Sequence, residues 1–379
     1  MSRLLRLRFV HTRYPHWCAR SGFTQVVRHL DPAGFRSVLD GAADSDDDVP
    51  RWLAAAKPWL RRRVARGAMP WYKLGDLMAE LRALPGALAG RYHAVHFLDG
   101  EHAGQYLPRW LKRVPWPRPV TVASFHQPHT LQEQLLNPTL IGALDHVTVL
   151  SPSQVPFLAR YLPRERIHLF AHGVDTAFFR PPMQRQHTDR LHCITVGHWL
   201  RDWPLMRAVA AAFRDDPRVH FHVVSSGDTG LDGLPNVTLY RGISDDELAQ
   251  RYRQADALLL PLTECTANNA LLEGIASGLP AVTTDLAGTR FHLAGAGAIL
   301  TPPADARACV EALRALRDQP DRRAALAREA RRRAEELAWP SIALRFETFY
   351  REIVTRGTRF EARLPAPGAI RRRRSSKIH

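Results

Sequence analysis

Glu264 and Glu273 stand on either side of Asn268 and Asn269 in the stretch TECTANNALLEGIASGLPAVTTD, residues 263–285. Asn268 has the side chain of a helix N-cap, so Asn269 is expected to be the first helical residue. Gly278 suits the left-handed position that ends a helix, and Pro280 prevents its continuation. A helix start offers unpaired backbone N–H groups and a partial positive charge. The amides near Ala270, Leu271 and Leu272 are therefore candidates to hold a phosphate or diphosphate. Glu273, one turn in, has the chemistry to accept hydrogen bonds from the vicinal hydroxyls of a ribose. Glu264, before the helix, is placed to face a sugar on the other side. Two acids around an anion site fit a ligand with hydroxyls at each end and charge in the middle, as in a nucleotide sugar. A plainer reading stays open: Glu273 complements the helix dipole and Glu264 is a solvated loop acid.

Strands must carry this helix start to a ligand-facing edge. ADALLLPL (255–262) reads as a short buried strand, so the helix begins at its C-terminal end. That edge is where open α/β sheets bind ligands. LLRLRFV (4–10), YHAVHFLD (92–99), VTVASF (120–125), HVTVLS (146–151) and RIHLFAHGVD (166–175) read as strands of a first half. LHCITVG (191–197), VHFHVVSSG (219–227) and NVTLYRG (236–242) repeat the scheme, each ending in glycine. Ser244 and Glu247 have capping-box spacing. Strands alternating with helices predict two parallel-sheet α/β domains, which suits 379 residues of ordinary 45% hydrophobic content.

The ordered set resembles GT-B glycosyltransferases, especially the retaining family-4 group. SGFTQVVRHL (21–30) is similar to their first loop and helix, and HGVDTAFFRPP (172–182) to the segment before the linker. TVGHWLRDW (195–203) resembles the phosphate-gripping loop, and ISDDELAQRYRQADALLLPL (243–262) the helix and strand before the E-x7-E region. The opening stretch resembles that region itself, with eight residues between its acids instead of seven. AWPSIALRFETFYREIV (338–354) is similar to the terminal helices. The resemblance covers most of residues 1–355 and is strongest over 191–290.

It implies an α/β GT-B fold: two Rossmann-like domains facing across a cleft, with a C-terminal helix returning to the N-terminal domain. The expected boundaries are an acceptor-binding domain (1–180), a linker (181–190), a donor domain (191–338), a crossover helix (339–357) and a basic disordered tail (358–379). The implied reaction is retaining transfer, of hexosyltransferase type, from a nucleotide-diphosphate sugar to a hydroxyl acceptor. His126, Arg201 and Glu264 are the implied catalytic residues. Arg201 would neutralise the diphosphate, with no second lysine after it, and His126 would hydrogen-bond the donor sugar near its reacting carbon. Gly22 and Gly197 would let backbone approach the donor, joining Asn268, Asn269, Ala270, Leu271, Leu272 and Glu273 as the donor-binding set. No cofactor or metal is required by such enzymes; the nucleotide sugar is a co-substrate. His96, Asp99, Glu101 and His102 in HFLDGEH have metal-ligand types, but an acceptor-side loop is the plainer reading. DSDDD (44–48) contains a D-x-D triplet, and reads more simply as a solvated acidic loop.

The charge, 53 Lys plus Arg against 37 Asp plus Glu, gives +16 and points to an anionic partner. Residues 51–73 carry seven basic residues and three tryptophans, and residues 371–374 are RRRR. A lipid-linked or cell-surface glycan acceptor at an anionic membrane would account for this; so would a solvated basic face. Cys18, Cys193, Cys265 and Cys309 form no CxxC pair, which fits a reducing compartment. No apolar run approaches the ~20 residues of a membrane span, and the N-terminus does not read as a signal peptide. The expected location is cytoplasmic, peripheral at the inner face of the membrane. The alternatives are a basic nucleic-acid-binding protein, for which no motif is present, and a catalytically inactive GT-B-like binding protein.

Overall fold

A computed structural model describes residues 3–13, 20–65, 69–114, 118–184 and 189–361. Part of the expected linker (185–188), Cys18 and the RRRR run lie outside the described residues. The chain builds two six-stranded sheets, each with every strand parallel.

The first sheet uses β1 (Leu5–Arg13), β2 (Phe35–Ala43), β3 (Ala94–Phe97), β4 (Val120–Phe125), β5 (His146–Val149) and β6 (Ile167–Leu169). Its order is β2-β1-β3-β4-β5-β6. The second uses β7 (Leu191–Val196), β8 (Val219–Val224), β9 (Val237–Tyr240), β10 (Ala257–Leu260), β11 (Ala281–Thr284) and β12 (Ala298–Thr301). Its order is β12-β11-β10-β7-β8-β9. The order reverses between β7 and β10, and that switch point opens a crevice at the strands' C-terminal ends. β10 reads ALLL and is buried throughout, as a strand covered on both faces must be.

Helix α1 (Gln25–Arg28) follows the first loop; α2 (Lys57–Ala65) and α3 (Leu74–Leu88) lie between β2 and β3. In the second lobe, α4 (Trp203–Ala212) follows β7, α5 (Asp245–Gln254) precedes β10, and α6 (Asn269–Ala276) follows it. The predicted capping box at Ser244 and Glu247 is present, as is the Asn268 cap of α6. Gly278 takes φ +71°, as a residue past a helix end does.

The last helix, α7 (Trp339–Glu361), crosses back to the first lobe. Val174 and Ala338 form an isolated parallel bridge where it begins. Tyr350 OH lies 2.6 Å from His96 Nδ1, and Phe346 stacks on Phe170 with ring centroids 4.0 Å apart. One apolar core therefore runs from β1 through α7 into β7 and β10. The helix extends to Glu361, past the boundary expected at 357. TRGTRFE contains no proline, and the first one beyond it is Pro365.

Candidate functional site

Between the lobes lies a cavity of about 800 Å³. Its second-lobe wall begins at β7. Gly197 ends that strand with φ +93°, and a Cβ there would meet the Arg201 guanidinium at 2.5 Å. Only glycine serves both needs. The following loop is laced to the loop after β10: Asp202 N donates to Pro261 O (3.1 Å) and Thr263 N to Leu200 O (3.1 Å). Asp202 then caps α4 by accepting from Leu205 N. This explains an acid directly after the candidate phosphate-binding arginine.

Arg201 folds back over its own loop. Nε and Nη2 donate to Val196 O at 2.9 and 2.6 Å, and Nη1 to Trp199 O at 2.9 Å. Among the described residues no carboxylate lies within ion-pair distance of it. Burial pulls its pKa down to about 10, which still leaves it cationic at neutral pH. A fixed cation with no carboxylate in ion-pair contact is a site prepared for an anion.

The start of α6 faces the same space. Asn268 Oδ1 accepts from Leu271 N (3.1 Å), and Asn268 O accepts from Leu272 N (3.1 Å). Those two amides are spent within the chain, and neither leucine lines the cavity. Asn269 and Ala270 do line it, and their amides make no hydrogen bond to the described residues. Of the three amides the sequence indicated, only that of Ala270 stays free, and Asn269 supplies the other free donor. The cap itself is the reason, since it uses the third amide.

Glu273 is 6% exposed and lines the cavity. Its Oε1 accepts from Ser21 Oγ of the other lobe at 2.5 Å, and its Oε2 from Tyr252 OH on α5 at 3.0 Å. Burial raises its pKa, opposed by those two donors and by Arg201. A carboxylate has about four lone-pair sites, so these bonds orient it without exhausting it. Gly22, next to Ser21, takes φ +98° at the cavity wall.

On the first-lobe side, His126 follows β4. Its Nε2 donates to Leu98 O (2.6 Å), which leaves Nδ1 as the ring's acceptor. Burial holds its pKa down to about 4, so the ring is neutral at pH 7. Its backbone N, with that of Gln127, donates to Glu101 Oε1 at 2.6 and 2.7 Å. His126 O accepts from Thr266 Oγ1 of the second lobe. Asp99 Oδ2 accepts from Thr12 N (2.9 Å) at the end of β1. Burial pushes both carboxyls, Asp99 and Glu101, up to about 7.

Residues 195–319 match the family model described as glycosyl transferases group 1. A D-inositol 3-phosphate glycosyltransferase of Thermobispora bispora is 24% identical over 364 residues, 82% of this chain and 84% of that one. Another of the same name, from Kineococcus radiotolerans, is 30% identical over 177 residues, 40% of this chain and 41% of its own. Among solved structures, the sucrose-phosphate synthase of Thermosynechococcus elongatus superposes with TM-score 0.67 at 16% identity, covering 92% of this chain and 99% of its own. Anabaena HepE, solved with UDP and glucose, gives TM-score 0.61 at 10% identity over 92% and 100%. The chain has the GT-B glycosyltransferase fold, and its second lobe matches glycosyl transferases group 1.

In this glycosyltransferase the cavity brings together Gly22, His126, Gly197, Arg201, Asn268, Asn269, Ala270 and Glu273. Glu264 is not among its lining residues; Oε1 accepts from Thr130 Oγ1 across the lobes at 2.8 Å. Its place one residue off the seven-residue spacing is consistent with that displacement, and Cys265, at that spacing, is buried. His96 is 1% exposed and bonds Tyr350 and Ser124 Oγ (2.8 Å) inside the core, away from Asp99 and Glu101. Among the described residues no group of three or more His, Cys, Asp or Glu is arranged to hold a metal ion. In DSDDD, Asp46 accepts from Leu74 N and pairs with Arg61 (2.9 Å), and Asp47 pairs with Lys57. The triplet thus fastens the turn onto α2 and α3. Ser21, Tyr252 and Glu101 were not singled out as positioning residues. Ser21 and Tyr252 act through contacts distant in sequence, and only the acid in HFLDGEH gave a hint of the third.

Proposed function

We propose that this glycosyltransferase moves a sugar from a nucleoside-diphosphate sugar to a hydroxyl of a glycan or lipid-linked acceptor, with retention at the anomeric carbon. The observation that carries the donor is Arg201, a cation without a carboxylate partner, beside the unspent amides of Asn269 and Ala270. When the bond from the anomeric carbon to the phosphate oxygen breaks, negative charge grows on the diphosphate. Fixed donors aimed at that charge stabilise it without reorganising. Glu273, oriented by Ser21 and Tyr252, accepts from the ribose hydroxyls. Neutral His126 offers Nδ1 to a donor-sugar hydroxyl. The reading asks for no bound metal or cofactor. The UDP and glucose named with Anabaena HepE support a donor of this class.

Trp52 and Trp59 are 80% and 58% exposed on the basic segment of the first lobe, which supports attachment at the anionic inner face of a membrane. Among the described residues no helix is long and apolar enough to cross one.

The test is incubation with a panel of nucleoside-diphosphate sugars and simple glycoside acceptors, followed by proton NMR of the first product. Nucleoside diphosphate should be released, and the product should carry the donor's anomeric configuration. An inverted product would remove retention; no release from any donor would remove the donor assignment.

A further inference from the structure

The two walls of the cavity differ in charge, and this bears on the acceptor. The second-lobe wall presents Arg201, one carboxyl group, Glu273, and free amides. The first-lobe wall presents Asp44, Asp99 and Glu101, with Lys73 as its one cation among the described lining residues. Asp99 and Glu101 are 5% and 2% exposed. Each spends one oxygen on backbone amides of other residues, and no side-chain donor among the described residues reaches its second oxygen. Two buried carboxylates with a spare oxygen each are acceptors awaiting donors, and hydroxyls are suitable ones. Trp71 lies on the same wall, 5.2 Å from the His102 ring, and offers an aromatic face to the C–H face of a sugar ring. A phosphate on the acceptor would bring its negative charge against Asp44 and the half-ionised Asp99 and Glu101, with Lys73 alone to offset it.

Resting on the transfer reading above, we propose that the acceptor is an uncharged polyhydroxyl ring, held by Asp99 and Glu101 and stacked on Trp71, and that this wall discriminates against phosphate monoesters. In the reaction the acceptor oxygen forms its bond to the anomeric carbon as the bond to the diphosphate oxygen breaks. The acceptor proton passes to the leaving diphosphate, and no oxidant or reductant is involved. Asp99 and Glu101 orient the acceptor ring; the proton does not pass through them.

The experiment uses the full chain and whichever nucleoside-diphosphate sugar it turns over. Methyl hexopyranosides and myo-inositol are compared with their monophosphates as acceptors. The neutral acceptors should have kcat/KM at least tenfold higher. Asp99→Asn and Glu101→Gln should raise the acceptor KM about tenfold, with kcat at saturating acceptor changed less than about threefold. Trp71→Phe, which keeps a ring, should retain most of the acceptor affinity that Trp71→Ala loses, and serves if the carboxylate variants fold poorly. Equal or better use of the monophosphates would overturn the inference while leaving glycosyl transfer standing. So would substitutions that lower kcat and leave the acceptor KM alone. Release of nucleotide from no donor, with either acceptor class, would overturn both.

Discussion

Glu273 shows how much of this site rests on contacts between lobes. Its carboxylate is set by a serine 252 positions away in the chain and a tyrosine on the neighbouring helix. The sequence pointed to the acid through its place one turn into a capped helix. Nothing local to it points to Ser21 or Tyr252, because the fold alone brings them together. The amides show the converse. The cap was legible from Asn268, but reading which N–H groups stay free required tracing where each bond ends. Glu273→Ala is expected to abolish the rise in melting temperature that nucleoside diphosphates give the wild type. Tyr252→Phe should keep part of that rise, losing one orienting hydrogen bond worth about 1 kcal/mol. Unchanged thermal shifts in Glu273→Ala would take the ribose contact away from this residue.

At the scale of elements, nine of the twelve strands follow from short apolar runs bounded by glycine or turns, and β11 follows from the resumption of AVTTD after Pro280. β2 and β12 were not legible. FRSVLDGAA carries Arg36, Asp40 and Gly41, and lies at a sheet edge where one side needs no apolar cover. AILT is four residues long at the other sheet's edge and follows a glycine-rich run. The basic segment around α2 is a surface element whose environment decides its role. Lys57 and Arg61 are paired with Asp47 and Asp46, while Arg51, Arg62 and Arg63 have no carboxylate within ion-pair distance among the described residues. With Trp52 and Trp59 seven positions apart, the segment presents aromatic and cationic groups together. Vesicles of phosphatidylcholine plus phosphatidylglycerol should bind the protein, and phosphatidylcholine alone should bind it far less. Trp52→Ala with Trp59→Ala should weaken that binding roughly tenfold. High salt should weaken it further. Sedimentation with vesicles reads both effects, and equal binding by the double variant would assign the segment to solvent.

Over the whole molecule, burial has set two populations of titrating groups against each other. His96 and His172 are pulled down to about 3, and His102, His126, His222 and His292 to about 4. Their stabilising contribution is present above their ordinary value near 6.5 and is lost as pH falls toward 4. Asp99 and Glu101, pushed up to about 7, behave oppositely: their contribution is full below about 4 and is lost as pH rises through 7. Removing one member tilts the balance. Relative to wild type, Asp99→Asn should gain stability as pH rises from 4 to 7, by up to about 4 kcal/mol. Urea unfolding at several pH values reads this difference, and a gap that stays constant would mean Asp99 does not titrate in that range.

The central claim is that a diphosphate lies between Arg201 and the opening amides of the helix at Asn269. Calorimetric titration of wild type and Arg201→Ala with a nucleoside diphosphate and with its monophosphate tests it most directly. The account predicts that wild type prefers the diphosphate, and that the substitution weakens diphosphate binding at least about tenfold while narrowing that preference. Equal diphosphate affinity in the two proteins would contradict it.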